Sequence, residues 1–204
     1  MGQKFFRASD YAVGTRLTDL GFVSNNGEDL IVEDGPNGFA FVSANEGSGT
    51  SRDILLPSGE IDGTLPYNFY ALVNRRSGDF STTMFLAYDD ANNWFRLGRR
   101  ERSLDIERFR NGSFEGLAEG GYDGGRDGDR QQWFGEISFD REFISSEFLD
   151  GSANPQSLET TGNIVFLSPS QPGLMLRNDP SYDILELSIG TNGDPAPTEP
   201  VDTG

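Results

Sequence analysis

The chain has 204 residues, a length that suits one large β domain, and although only 35% of them are hydrophobic, 16 Phe, 6 Tyr and 2 Trp can still supply a core. Its formal net charge is −17, which sets phosphate backbones and anionic membranes against it as partners. It holds no Cys and no His, which excludes disulfides, thiolate and histidine metal sites, and Ser-His-Asp or Cys-His catalysis.

The first residues, Met1 to Arg7, lack the apolar stretch of a secretory signal. No apolar run reaches the roughly 18 residues that a membrane helix needs. Strands are expected at 30–33 and 39–43, either side of the turn Asp34-Gly35-Pro36-Asn37-Gly38, and at 53–56 before Pro57-Ser58-Gly59. The compact apolar runs at 68–73 (Asn-Phe-Tyr-Ala-Leu-Val) and 82–88 (Thr-Thr-Met-Phe-Leu-Ala-Tyr) predict central strands, buried on both faces or packed beneath a second sheet. Residues 93–97 (Asn-Trp-Phe-Arg-Leu) follow after a short turn. Residues 104–110 (Leu-Asp-Ile-Glu-Arg-Phe-Arg) begin with the apolar–polar alternation of a half-exposed strand. Asn111-Gly112 then fits a two-residue type I′ turn into a strand at 113–117.

Further strands are expected at 132–139, 142–149, 164–167, 174–177 and 184–189. No segment carries a sustained helical period, Ala is scarce, and Gly occurs 26 times, so helices are not expected. Many short strands separated by regular turns predict an all-β fold, a two-sheet antiparallel sandwich or barrel. Residues 119–130 form a Gly/Asp-rich loop, and residues 190–204 a Pro/Thr/Asp tail that cannot build a core. The expected organisation is therefore a domain over 1–189 followed by an extended tail over 190–204.

With His and Cys absent, paired carboxylates are the remaining catalytic option. Glu60-Ile61-Asp62 resembles the start of the Glu-x-Asp-x-x-Glu signature of jelly-roll glucanases, but Thr64 and Leu65 occupy the places where the second Glu would act as acid. The reading is therefore non-catalytic. Asp123, Asp127 and Asp129 in the Gly/Asp loop could offer oxygens to Ca²⁺, the one cofactor the sequence suggests. Their spacing is not that of an EF-hand, and Arg126 and Arg130 favour a solvated loop salted by its own arginines. Tyr122, Trp94 and Trp133, with Tyr70 and Tyr88, are candidate stacking platforms for sugar rings, set against the commoner role of large aromatics in a core. Arg96, Arg99, Arg100, Arg102, Arg108 and Arg110 form the basic region of an otherwise acidic chain. They suit either docking on an acidic neighbour or cross-strand ion pairs with Glu101, Asp105 and Glu107.

The order of these features, from Asp10-Tyr11 through Phe39 to Ser43, Asn68 to Val73, Thr82 to Asp89, Asn93-Trp-Phe-Arg-Leu97 and Leu104 to Asn111-Gly112, resembles concanavalin A-like, laminin-G-like jelly-roll domains. The resemblance is one of strand pattern over about residues 5 to 190, with no legume-lectin metal motif. It implies a two-sheet antiparallel jelly-roll sandwich. Members bind glycans, sometimes through Ca²⁺, or serve as structural and adhesive modules, including decoration and fibre proteins of tailed phages. The expected function is a structural or adhesive module of a virion, docked on neighbouring subunits of a capsid, tail or homo-oligomer. Its first alternative is a carbohydrate-binding lectin outside the cell or at its surface. Its second is a polysaccharide-degrading jelly-roll enzyme.

Overall fold

A computed structural model describes residues 4–24, 29–36, 38–43, 51–55, 67–75, 82–100, 103–121, 130–138, 143–149, 155–161, 171–177 and 182–191, with side chains described on part of several strands. Among the described residues the chain is nearly all β. Fifteen strands run in order: Lys4–Arg7 (β1), Val23–Ser24 (β2), Leu30–Gly35 (β3), Gly38–Ser43 (β4), Ser51–Leu55 (β5), Tyr67–Arg75 (β6), Thr82–Asp90 (β7), Asn93–Arg100 (β8), Ser103–Arg110 (β9), Ser113–Gly121 (β10), Arg130–Ser138 (β11), Phe143–Leu149 (β12), Pro155–Thr161 (β13), Gln171–Arg177 (β14) and Tyr182–Thr191 (β15). The only helical pieces among them are two single 3-10 turns, Ala8–Asp10 and Thr18–Leu20.

The strands make two antiparallel sheets. One is eight-stranded in the order β13-β12-β11-β6-β15-β4-β3, with β1 also paired to β15. The other is seven-stranded in the order β10-β9-β8-β7-β14-β5-β2. Successive strands pair as hairpins along β7-β8-β9-β10, while β14 is inserted between β7 and β5. This is the expected two-sheet antiparallel sandwich.

Alternation along the strands sends one side chain in two into the space between the sheets. Phe69, Ala71 and Val73 of β6 and Leu187 and Ile189 of β15 meet Phe95 and Leu97 of β8, Ile106 of β9 and Leu174 of β14 in one buried core. Phe69 to Val73 is buried on both sides of its strand, as the unbroken apolar run predicts.

Several elements differ from those expected. β1, β2 and β13 were not expected. They are short, paired on one side, or rich in Thr, Ser and Gln, so neither periodicity nor hydrophobicity marks them. β9 is not half-exposed. Its polar members Asp105 and Glu107 are buried beside Ile106, at 5% and 2% exposure. The expected strand at 164–167 lies outside the described residues.

Candidate functional site

The Asn111-Gly112 turn fixes the site's frame. Both residues have positive φ, 51° and 77°, as a type I′ turn requires, and only Asn, Asp or Gly adopt that conformation readily. The turn sets Arg110 opposite Ser113 and Phe109 opposite Phe114. On the other side of β9, Phe109 faces Trp94 of β8, and Trp94 in turn faces Tyr88 of β7. Four aromatic residues, Tyr88, Trp94, Phe109 and Phe114, therefore stand in one row across four adjacent strands.

The row lies on the sheet face turned away from the main core. Its neighbours on β8 and β9, Phe95, Leu97 and Ile106, point into the sandwich, so alternation sends Trp94 and Phe109 outward. Tyr88 and Trp94 rest instead on a separate small cluster of Leu55 and Met175. The Trp94 and Phe109 rings stack with centroids 5.1 Å apart and planes 10° from parallel. Tyr88, Trp94 and Phe109 are half-buried, and Phe114 is 52% exposed.

Behind the row sits Arg96. Its guanidinium lies 4.6 Å from the Trp94 ring centre and 5.7 Å from that of Phe114. Arg96 Nε donates to Glu107 Oε2, and Nη1 donates to Met175 Sδ at 2.9 Å. The pair is largely out of water, with side-chain exposures of 11% and 3%. An arginine held in this way orders the rings by cation–π contact and keeps its charge balanced by the carboxylate.

One long side of the row is flanked by the β7–β8 and β9–β10 turns, which are rich in Asp and Asn. Asp90 Oδ1 accepts from the Asn92 backbone amide at 2.6 Å, and the Asn93 side-chain amide donates to both Asp90 oxygens at 3.1 Å. Those bonds, the Asn92 amide first, hold the Asp90 carboxyl below the ordinary carboxylate range. Burial, and then the charge of Asp90, push the neighbouring Asp89 carboxyl up. Asn93 Oδ1 accepts from the Asn111 backbone amide at 3.2 Å, which ties the β7–β8 turn to the β9–β10 turn.

Of the residues singled out from the sequence, the fold brings Trp94 and Arg96 together here. Arg108 is paired with Glu115 across β9 and β10, its Nε 3.1 Å from Oε2, and lies 6.0 Å from the Phe95 ring, on the opposite parity of the strand. Arg96 thus pairs across strands with Glu107, one of the acidic partners expected from the sequence, whereas the partner of Arg108 is Glu115, which is not among them. Arg110 is exposed at the end of β9. Arg99 and Arg100 lie on β8 and Trp133 on β11 of the other sheet, with side chains outside the described set. Arg102, Tyr122, Asp123, Asp127, Asp129 and Glu60 lie outside the described residues. Tyr70 is 1% exposed, which removes it as a stacking platform. Phe109, Phe114 and Glu107 were not read as site residues. The register imposed by Asn111-Gly112 is the signal that locates them. Among the described residues no three acidic side chains gather as metal ligands.

No known protein family matches the sequence, and no curated protein does. Solved structures are similar in fold. Lectin II from Ulex europaeus is similar with a TM-score of 0.62 at 9% identity, covering 93% of this chain and 98% of its own. The Lotus tetragonolobus seed lectin gives 0.58 at 11%, covering 84% and 93%. A protein of unknown function from Shewanella oneidensis gives 0.63 at 8%, covering 97% and 91%. Likeness at such identities establishes the fold, the lectin-like, concanavalin A-like jelly roll that the strand pattern resembles.

Proposed function

We propose that the protein is a non-catalytic carbohydrate-binding module that holds glycans on the outward face of the seven-stranded sheet. The observation that carries this reading is the in-register row Tyr88, Trp94, Phe109 and Phe114, bordered by Asp90, Asn92 and Asn93. Sugar rings present C–H faces that suit aromatic rings, and hydroxyls that suit carboxylate and amide partners. Both kinds of group stand at the turn end of these strands, on a fold shared with plant lectins. Such a module works where glycans are displayed, outside cells or at their surfaces. The incomplete Glu60-Ile61-Asp62 signature supports a binding role over hydrolysis.

The virion assembly role expected from the sequence would dock through the arginine-bearing strands and the terminal arms. Two of those arginines, Arg96 and Arg108, are committed to Glu107 and Glu115, so glycan binding is the better supported reading. A glycan array tests it. Wild type gives specific signals, and Phe114→Ala weakens them about tenfold, or about 1.4 kcal/mol, with only a small fall in melting temperature, because Phe114 is half out of water although it also covers Arg96. An array with no signal, or a variant that binds as well as wild type, overturns the site.

A further inference from the structure

Resting on that reading, we infer that the ligand is an uncharged glycan chain laid across the strands, rather than a single terminal sugar or an acidic polymer. The first ground is the length and direction of the aromatic row. One ring stands on each of β7, β8, β9 and β10, and hydrogen-bonded strands lie about 4.8 Å apart, so the row spans about 14 Å from Tyr88 to Phe114. The Trp94–Phe109 centroid distance of 5.1 Å agrees with that spacing. Trp94 and Phe109 face each other and so present their edges outward, and a row of this length is longer than one pyranose ring and runs perpendicular to the strands. Its outer end, Phe114, is on β10, the edge strand of the sheet, and is 52% exposed, so a chain can continue past it.

The second ground is charge. A uronate or sulfate needs a cation to meet it. Arg96, on the same face as the row, is spent on Glu107, and Arg108, on the other face of β9, on Glu115. Arg110 has the opposite parity to Phe109 on β9, and Arg100 stands at the far end of β8, about 20 Å along the strand from Trp94. The β7–β8 turn next to Tyr88 carries Asp89 and Asp90 instead, and burial, then the charge of Asp90, push the Asp89 carboxyl up. The whole chain adds a net charge of −17. Hydroxyl groups can donate to these carboxylates, whereas an anionic sugar is repelled by them.

Native electrophoresis through gels containing single polysaccharides tests the inference, with galactomannan and mixed-linkage glucan as neutral polymers and pectate and alginate as uronic ones. Calorimetry then follows oligosaccharides of the retained polymer, from the monosaccharide upward. The expected result is retention by a neutral polymer alone, with affinity rising about tenfold or more from the single sugar to an oligomer, and most of that gain lost in Phe114→Ala. Retention by pectate or alginate overturns the inference and leaves glycan binding standing. So does an affinity that does not grow with chain length, or array signals confined to single terminal sugars with no polymer retained. No retention in any gel, together with a blank array, overturns both the inference and the proposed function.

Discussion

Glu107 is 2% exposed and carries a formal charge, so its partner decides whether it stabilises or destabilises the fold. Arg96 supplies the opposite charge, and the Trp94 and Phe114 rings cover the guanidinium from the side. Removing one member leaves the other charged and desolvated, which costs about 3 kcal/mol or more, whereas replacing both with apolar residues of similar size costs far less. Glu107→Gln should therefore lower the urea unfolding free energy by about 3 kcal/mol. The double variant Arg96→Met/Glu107→Leu should recover more than half of that loss. A single variant as stable as wild type would show that water reaches the pair and that it does not hold the rings. At this scale the sequence exposes only part of the site. Trp94 and Arg96 stand out by composition, but Glu107 reads as a solvent-facing member of an alternating strand, because a buried ion pair and a wet one have the same letters.

At the scale of elements, the β7–β10 meander was the most legible part of the chain. Its apolar runs are long, and Asn111-Gly112 sets the register without help from tertiary contacts. The return of β14 between β7 and β5 was not legible, since pairing between distant segments leaves no local periodicity. Yet one residue bears its mark. A Cβ built on Gly173 of β14 would stand 2.2 Å from the Ile54 carbonyl oxygen and 2.9 Å from the Leu55 Cα, both backbone atoms of β5. Neither can swing aside as a flexible side chain could. Gly173→Ala should thus part β14 from β5 and cost about 2 kcal/mol in overpacking, read as a lower denaturation midpoint. Gly116→Ala on β10 is the control, because nothing stands within 4 Å of the added carbon, and it should change stability by less than about 0.5 kcal/mol. Equal effects at the two sites would mean that β5 can move away from β14. The consequence reaches the row itself, since Leu55 and Met175, one from each of these strands, are the floor under Tyr88 and Trp94.

Over the whole molecule the dominant electrostatic fact is the imbalance of 33 acidic against 16 basic residues. Even if every cation found a partner, a net charge of −17 would remain to repel itself in the compact state. Exposed pairs such as Arg7–Glu186, 3.0 Å apart, contribute at most about 1 kcal/mol each and weaken in salt. Repulsion among so many uncompensated carboxylates works the other way. It acts over about 30 Å at 0.01 M ionic strength, more than a sheet-to-sheet distance of about 10 Å, and over only about 8 Å at 0.15 M. Repulsion is the larger of the two effects, so the melting temperature should rise with sodium chloride across that range. A fall would mean that the ion pairs outweigh the excess charge. The same series separates two kinds of ligand. Binding of an uncharged chain should stay level as salt rises, because no counter-charge is met on the aromatic row. An anionic ligand would bind more tightly as its repulsion from this acidic protein is screened. Stability that climbs while affinity stays flat is the joint signature expected of an acidic fold that recognises neutral sugar.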